Sequence, residues 1–336
     1  MSNSDYYPHP NTNADIYRNM TAADRPPVPD KHIQFIAVND DKTIVGASSL
    51  TDRYWSGTVW YFNGPTNYDK NDAYAVTRTE SGVCDAVFLD NYKFLIAEDS
   101  GVLQVLEVVK APETLAPVLQ CSGYVCQHDD SITSLAVFDN KTHFVTSSMD
   151  CCIKVWQISD LLAEYSFLNA HTNSITCVDV MPKNDWIFGS TSLDCQAFIW
   201  DLRQSKPATC LHKKEGNGLT ALTWDKNNEN IVAIGSQSGS VTLIDIRSPD
   251  NVICETQIFL RPVHRLKYHP EKNSWLAGCC DDTVVKVLDP TKHLSLVYQD
   301  DRHKDFVRGL AWLQDELLTC SWDDTILKHT VLSADQ

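Results

Sequence analysis

The chain has 336 residues, and 28 Lys and Arg against 44 Asp and Glu give it a formal net charge of −16. With 43% hydrophobic and 10% aromatic residues, the composition excludes a chain that is disordered throughout, because such chains lack the apolar side chains needed for a core. The negative charge disfavours nonspecific attraction to nucleic acid or anionic lipid and favours basic proteins as partners.

The N-terminal segment, residues 1–31, is polar and rich in proline. It contains no apolar run followed by a small-residue cleavage site, so we expect no secretory signal. No apolar run reaches the roughly 18 residues that suggest a membrane-spanning helix, and we expect a soluble protein. Without a signal peptide, we interpret the 12 cysteines as reduced, buried side chains rather than disulfide partners. They show no Cys-x-x-Cys spacing, so we expect no structural zinc site. These features favour the cytoplasm and nucleus.

Alternating apolar segments recur along the rest of the chain at intervals of 43 to 50 residues. Their first residues are Ile33, Val83, Ile132, Ile175, Leu219, Val263 and Phe306. Two further short apolar segments follow in each unit, separated by turn residues. Alternation with a period of two indicates strands, and this repeat length is typical of a four-stranded unit. The sequence therefore predicts an all-β fold of seven units.

The third and fourth units share a set of polar and aromatic residues in which an Asp lies six residues before a Trp. The residues are His128, Asp150 and Trp156 in the third unit and His171, Asp194 and Trp200 in the fourth. This arrangement resembles the WD-repeat family, and the resemblance implies a single seven-bladed WD-repeat β-propeller over residues 32–332, with a tail at 333–336. We expect the imidazole, carboxylate and indole to satisfy one another as a structural network with a strand hydroxyl, for which Ser148 and Ser192 are the candidates.

The seventh unit ends after its third strand, so another segment must cover its outer edge. Propellers of this family often close with a strand from the N-terminus. The candidate here is the stretch from Ile16 to Met20 within the extension 1–31.

Recurrence of the polar set in several units argues against a catalytic triad, whose members converge once on one nucleophile. Glycine-rich phosphate-binding motifs are also absent from the sequence. We therefore expect no enzymatic activity, no cofactor and no metal site.

Pairs of acidic residues precede first strands or separate second from third strands, and both kinds of connection emerge on one side of a propeller. The predicted rim for basic substrates consists of Asp129, Asp130, Asp300 and Asp301. Such a rim suits segments rich in Arg or Lys. The alternative is that several acidic residues form turns or belong to the blade network, as Asp282 and Asp323 would by their positions.

In the first unit, the connection SLTDRYWSGT between the second and third strands is longer than elsewhere and places aromatic and Arg side chains in an exposed loop. Trp, Tyr and Arg are over-represented among interface hot spots. Because units seven and two neighbour unit one in a closed ring, their equivalent turns extend the surface. The predicted partner-binding patch consists of Arg53, Tyr54, Trp55, Asp99, Ser100 and Trp322. The alternative is that Trp55 folds back on its own blade.

Four segments resemble the methylosome protein 50 family, the WD-repeat partners of the symmetric (type II) protein arginine methyltransferase. The segments are Gly46 to Phe62, Thr79 to Asp85, Ala97 to Glu107 and His303 to Trp312. The resemblance covers about residues 32 to 332. The chain departs from the repeat pattern where blades two, five, six and seven lack the Trp, with these residues in its place: Leu106, Ile244, Leu288 and His329.

The resemblance implies a non-catalytic adaptor in a hetero-oligomer, which docks on the N-terminal barrel domain of the methyltransferase and presents Arg-rich substrates such as Sm proteins and histones. From the net charge and the lack of a long apolar run we expect neither a direct nucleic-acid partner nor a membrane. Arg53 and Trp55 match the docking loop of the family, whereas Tyr54 is inferred from its type and neighbours. The alternative is a substrate receptor of a cullin-type ubiquitin ligase, since Trp200 to Arg203 resembles the WDxR motif of such receptors.

Overall fold

The computed structural model describes residues 30–51, 54–64, 67–110, 116–204, 208–271 and 275–331, with residues 50, 51, 54 and 55 described by their backbone alone. Within these ranges the regular elements are 27 β-strands and two short 3₁₀ turns, Lys70–Asp72 and Pro290–Lys292. The strands form seven antiparallel sheets, so the predicted all-β, seven-bladed propeller is confirmed. No helix in the described part of the chain is long and apolar enough to cross a membrane.

Each blade is one sheet in which the strands follow one another in chain order from the inside to the outside. Blade one contains β1 (His32–Asn39), β2 (Lys42–Thr51), β3 (Tyr54–Asn63) and β4 (Ala75–Thr79). Blade two contains β5 (Val83–Phe88), β6 (Lys93–Glu98), β7 (Val102–Lys110) and β8 (Pro117–Cys126). Blade three contains β9 (Ile132–Val137), β10 (His143–Ser148), β11 (Ile153–Gln157) and β12 (Ala163–Phe167). Blade four contains β13 (Ile175–Val180), β14 (Ile187–Ser192), β15 (Gln196–Asp201) and β16 (Ala208–Lys213).

The remaining blades follow the same order. Blade five contains β17 (Leu219–Trp224), β18 (Ile231–Ser236), β19 (Ser240–Asp245) and β20 (Val252–Gln257). Blade six contains β21 (Val263–Tyr268), β22 (Leu276–Cys280), β23 (Val285–Asp289) and β24 (Ser295–Asp300). Blade seven contains β25 (Val307–Leu313), β26 (Glu316–Ser321) and β27 (Ile326–Thr330).

The core lies between neighbouring blades, because each sheet buries both of its faces. Second strands such as β10 are buried along almost their whole length, whereas outermost strands such as β20 alternate between exposed and half-buried residues. One apolar cluster joins Ile33 and Trp60 of blade one to Leu313 and Leu318 of blade seven. The ring is therefore closed by hydrophobic packing between the first blade and the last.

Two faces follow from the antiparallel order. We call upper the face on which fourth-to-first and second-to-third connections emerge, and lower the face with the first-to-second and third-to-fourth connections. The first strands contact one another around the ring and enclose a central channel of about 1060 Å³. Blade seven shows three strands in the described chain. The segment predicted to supply its fourth strand, Ile16 to Met20, lies outside the described residues, as does the tail 333–336.

All 12 cysteines are free thiols, but the expectation that they are buried is wrong for most of them. Cys279, Cys280 and Cys320 are buried, whereas three others on outermost strands are exposed: Cys121, Cys126 and Cys210. Burial raises the pKa of the Cys279 thiol to about 12, which leaves it protonated and unreactive at neutral pH.

Candidate interaction face

The hairpin of β2 and β3 projects from the upper face. Its ladder has 10 residue pairs and ends at Thr51 and Tyr54. The corresponding ladder of blade three has five pairs and ends at Ser147 and Ile153. The ladder of blade one is therefore longer by 10 − 5 = 5 residue pairs, which corresponds to about 16 Å along the strands at roughly 3.3 Å per residue. What the sequence suggested to be a long loop is therefore, in its backbone, an extended two-stranded hairpin.

The base of this hairpin is fixed against blade two. Ser48 Oγ donates to the Val83 carbonyl at 3.1 Å and accepts from the Val83 amide at 2.9 Å. A Cβ added to Gly57 would lie 2.3 Å from Thr79 Oγ1 and 2.9 Å from the Ser81 carbonyl. Glycine at position 57 thus allows β3 to approach the connection between the blades, and these contacts set the direction in which the hairpin leaves the disc.

Trp322 lies in the second-to-third connection of blade seven, which flanks blade one on the side opposite to blade two, and its side chain is half-buried. Its ring centroid lies 5.2 Å from that of His32 and 5.5 Å from that of Phe306, and the Arg308 guanidinium carbon lies 4.4 Å from it. Arg308 also contacts Asp281 Oδ1 at 3.0 Å. Stacking on Arg308 and two flanking rings fixes the indole in one orientation. Sequence reasoning identified Trp322 as a candidate but not Arg308 and Phe306. These two residues lie in or just before the first strand of blade seven, whereas Trp322 follows the second strand.

Asp99 and Ser100 lie beside the hairpin base. A Cβ placed on Gly82 would lie 2.7 Å from Asp99 Oδ2 and 3.2 Å from Ser48 Oγ, so Asp99 and Ser48 flank the same glycine. Burial raises the pKa of the Asp99 carboxyl. Ser100 is exposed and hydrogen-bonds Ser81 Oγ at 2.8 Å.

The structure therefore brings parts of the predicted patch together around blade one. Trp322 packs on His32, whose strand partner is Ser48, and Asp99 lies beside Ser48. Arg53 lies outside the described residues. Tyr54 and Trp55 belong to β3 rather than to a loop, and their backbones pair with β2 above this surface.

The networks of blades three and four are complete, but the bridging hydroxyl differs from the prediction. In blade three, His128 contacts Asp150 Oδ2 through Nδ1 at 2.8 Å and Thr146 Oγ1 through Nε2 at 2.8 Å. Trp156 Nε1 donates to Thr146 Oγ1 at 2.9 Å. In blade four Ser190 takes the place of Thr146: its hydroxyl contacts His171 Nε2 at 2.8 Å and accepts from Trp200 Nε1 at 2.9 Å. His171 Nδ1 in turn contacts Asp194 Oδ2 at 2.9 Å.

Ser148 and Ser192, the predicted bridging residues, instead hold the turn. Ser148 Oγ donates to the Asp130 carbonyl at 3.0 Å and accepts from the Asp150 amide at 3.1 Å. Ser192 makes the same bonds with the Asn173 carbonyl and the Asp194 amide. The two hydroxyls of each blade lie two residues apart on one strand, so their side chains point to the same side of the sheet. Only the hydroxyl nearer the lower face, that of Thr146 or Ser190, reaches the indole.

These networks are saturated, in the sense that each His, Trp and bridging hydroxyl in them has its hydrogen-bond partners within the blade. Burial lowers the pKa of His128, and Asp150 opposes this shift. Burial disfavours the charged form of Asp150 as well, but hydrogen bonds from His128 and the Cys152 amide outweigh it and lower the pKa of that carboxyl. A neutral imidazole then donates from Nδ1 and accepts at Nε2, which leaves no hydroxyl free to attack a substrate.

Blade seven has a different network because His329 occupies the position of the Trp. Thr319 Oγ1 lies 2.7 Å from His303 Nε2 and 2.7 Å from His329 Nε2. The other ring nitrogen of His329 contacts Tyr298 Oη at 3.1 Å, on the outermost strand of blade six. Burial lowers the pKa of His329 to about 4, while the Asp300 carboxylate opposes the shift. This network links blade seven to blade six.

The predicted acidic rim is only partly exposed. Asp300 does not belong to it, because its carboxylate pairs with Arg302 at 2.7 Å and accepts from Tyr298 at 3.0 Å, and its side chain is 11% exposed. Asp129, Asp130 and Asp301 are exposed on the upper face. Two further acidic residues are engaged within the fold: Asp323 with His303 and Asp282 with Arg261.

An ion pair crosses the channel between blades two and six, and sequence reasoning did not identify it. The Arg265 guanidinium lies 3.0 Å from Asp85 Oδ1, and Asp85 Oδ2 accepts from the Leu135 amide at 3.1 Å. Asp85 raises the pKa of Arg265 against the effect of burial. The pair links first strands that lie almost opposite each other in the ring.

The WDxR motif has a structural explanation. Arg203 donates from Nε and a terminal nitrogen to the Asp201 carboxylate at 2.9 and 2.8 Å. Arg247 makes the same pair with Asp245 in blade five, at 3.0 and 2.6 Å. The arrangement therefore recurs at the end of third strands and gives no separate support to a ligase subunit.

Comparison with known proteins places the chain in a family. Residues 119–157 match the WD domain, G-beta repeat, and residues 165–301 match the family described as nucleolar protein 10-like, N-terminal domain. The chain is 32% identical to methylosome protein WDR77 of Xenopus laevis over 295 residues, and this aligned region covers 86% of each protein. It is 27% identical over 164 residues to GATOR2 complex protein WDR59 of Homo sapiens, covering 47% of this chain and 16% of that protein. The extent of the first match shows that the chain belongs to the family of methylosome protein WDR77.

Proposed function

We propose that this chain is a non-catalytic adaptor subunit of a methylosome, which docks on a symmetric-dimethylating arginine methyltransferase and presents Arg-rich substrates such as Sm proteins and histones to it in the cytoplasm and nucleus. The likeness to methylosome protein WDR77 over 86% of the chain carries the proposal. The saturated blade networks agree with an adaptor role, since their polar groups are engaged in holding the fold.

The methyltransferase would dock on the upper face around blade one. The hairpin exceeds its counterpart by five residue pairs and is anchored at its base by Ser48 and Gly57, so it can present its tip without the ordering cost of a free loop. Trp322, fixed by Arg308, offers a preformed aromatic surface beside it. A rigid aromatic anchor next to a projecting element is typical of the central part of an interface.

Basic substrates would bind to the exposed acidic residues of the same face. Asp129, Asp130 and Asp301 are solvent-exposed, whereas Asp300 is held by Arg302 and is left out of the proposal. A chain with net charge −16 also steers Arg-rich segments toward itself over longer distances.

The test of docking is co-purification with the methyltransferase and a measured Kd for wild type, Trp55→Ala and Trp186→Ala. Trp186 is 47% exposed in a connection of the lower face and serves as the matched control. We expect Trp55→Ala to weaken the complex by about 2 kcal/mol or more, which is about 30-fold in Kd, and Trp186→Ala to leave it unchanged. An unchanged Kd for Trp55→Ala rejects the hairpin as an anchor. Failure of the wild type to recover methyltransferase activity from cell extract rejects the adaptor function.

The test of substrate binding uses an Arg-rich histone-tail peptide and the variant Asp129→Asn, Asp130→Asn, Asp301→Asn. We expect weaker binding that depends strongly on salt, because exposed charge pairs are screened. Unchanged peptide affinity removes the support for the rim.

A further inference from the structure

The outermost strand of blade two is longer than its counterparts. β8 spans 10 residues, whereas the outermost strands of the other four-stranded blades span five or six. Its ladder with β7 has nine residue pairs, against four or five in those blades. Four of the nine pairs lie beyond Leu106, which occupies the Trp position, whereas the ladder of blade three ends at Trp156 itself. At roughly 3.3 Å per residue, the hairpin of β7 and β8 therefore extends about 13 Å farther toward the lower face.

The extended part of this hairpin is held in place from its inner side. The Val108 amide donates to the Tyr92 carbonyl at 2.8 Å, which attaches β7 to the first-to-second connection of the blade. Leu119 is buried in the apolar cluster between blades one and two, and Val108 packs against the same cluster. Ser122 Oγ donates to the Val105 carbonyl at 3.5 Å, at a bulge in the ladder. These contacts fix β8 as an ordered strand below the level at which other blades end.

The outer side of β8 pairs with no strand in the described part of the chain. On an antiparallel edge strand, every second residue directs both its N–H and its C=O away from the sheet. We call this outward row of backbone groups, along Pro117–Cys126, the β8 edge. Pro117 removes one amide at the first residue only. Two apolar side chains beside the edge are exposed, Val118 at 40% and Tyr124 at 75%.

The β8 edge lacks the charged residues found on the corresponding strands. The outermost strand of each other four-stranded blade carries one charged residue: Arg78, Glu164, Lys213, Glu255 and Asp300. β8 carries none among its 10 residues, although 21% of the whole chain is charged. Charged side chains on an edge strand keep other strands from pairing with it. Their absence from the longest of these edges indicates a surface that another strand covers.

An extended, uncharged segment is the occupant that fits this edge. A row of alternating donors and acceptors is satisfied in register by another extended backbone, whereas a helix, whose backbone groups bond internally, does not satisfy it. A chain of net charge −16 repels an acidic segment, and a basic segment finds no carboxylate on β8. Exposed Val118 and Tyr124 favour apolar side chains opposite them. The matching segment therefore alternates apolar residues with Ser or Thr.

We propose that an extended, uncharged segment of a protein partner adds to the β8 edge as a fifth strand of blade two. Its backbone pairs along β8, and its apolar side chains pack on Val118 and Tyr124. The part of the edge between Pro117 and Cys121 lies toward the lower face, away from the surface proposed for the methyltransferase. Binding at this edge does not depend on the adaptor function.

The test measures fluorescence anisotropy of a labelled peptide of alternating Thr and Val with the full chain. The site variant is Val118→Lys, Tyr124→Lys. The control is Val252→Lys, Ile253→Lys, which adds the same two charges to β20, at side chains that are 39% and 49% exposed. We expect the site variant to bind about tenfold more weakly and the control to stay within about twofold of wild type.

Two further measurements identify the binding mode. The same peptide N-methylated at every residue cannot donate ladder hydrogen bonds, and we expect it not to bind. Hydrogen exchange of the chain with the unmodified peptide should slow in residues 117–126 and stay unchanged in residues 252–257. Because neither side of the ladder is charged, the affinity of wild type should be the same at low and at physiological ionic strength.

Three results with the peptides would overturn the proposal: no binding by wild type, equal weakening by the two variants, or equal binding of the methylated peptide. Binding that appears only after residues 1–24 are removed would overturn it by assigning the edge to the N-terminal segment of this chain. Self-association of wild type that the site variant abolishes would assign the edge to a second copy instead. Methyltransferase binding, measured in parallel, should be the same for the site variant and wild type, so a failure of the adaptor proposal is recognised separately.

Discussion

Thr146→Val tests which hydroxyl completes the polar network of blade three. The side chains have nearly the same shape, so the change removes one oxygen and leaves two buried groups without a partner: the Trp156 indole N–H and His128 Nε2, in residues that are 1% and 3% exposed. Each orphaned buried group costs about 1 to 3 kcal/mol. We therefore expect the free energy of unfolding to fall by about 3 kcal/mol.

The measurement is urea unfolding followed by tryptophan fluorescence, with the m-value checked for a change in cooperativity. Thr142→Val is the control, because Thr142 is exposed and its hydroxyl contacts His143 Nδ1 at the surface. Its cost should be about 0.5 kcal/mol or less. Ser148→Ala should cost about 1 kcal/mol, since it removes turn bonds but leaves the indole satisfied. Equal stability of Thr146→Val and Thr142→Val would refute the assignment.

Three further predictions concern stability. The pKa of His329 in the folded state, about 4, lies below the ordinary 6.5. Its neutral form therefore contributes fully to the free energy of unfolding above pH 6.5, and this contribution is lost as the pH falls toward 4, at up to about 1.4 kcal/mol per pH unit. A His329→Phe variant whose stability has the same pH dependence as wild type would contradict this. Arg265→Met should destabilise more than Arg265→Met combined with Asp85→Asn, by about 1 kcal/mol or more in urea unfolding, because the single change leaves a carboxylate unpaired in the channel; additivity would rule out the coupling. Removing residues 1–24 should lower the Tm by several degrees if they close blade seven, and an unchanged Tm would reject that closure.

Local patterns in the sequence carry most of the fold. Alternation of apolar residues and turn chemistry act between neighbours, so the repeat from Ile33 to Phe306 predicts the strands and their grouping into seven blades. The position of Trp322 and Asp99 on either side of blade one follows from closing such a ring, and the structure shows both beside its strands. The sequence did not show which cysteines are exposed, because their exposure depends on which strand of a blade is outermost.

Register and long-range pairing were decided only by the tertiary structure. Thr146 rather than Ser148 reaches the indole because a shift of two residues along β10 moves a hydroxyl by about 7 Å, which spacing alone does not resolve. Asp300 looks like a rim residue in the sequence, yet Arg302 and Tyr298 hold it.

The longest-range features depend on ring closure itself. Arg265 meets Asp85 although 180 residues separate them, because closing seven blades places β21 opposite β5 across the channel. Lys141, Lys226 and Lys267 belong to three separate blades, and all three line the channel for the same reason. Sequence determined each blade through interactions between near neighbours, whereas the channel and its charges exist only once the blades pack into a ring.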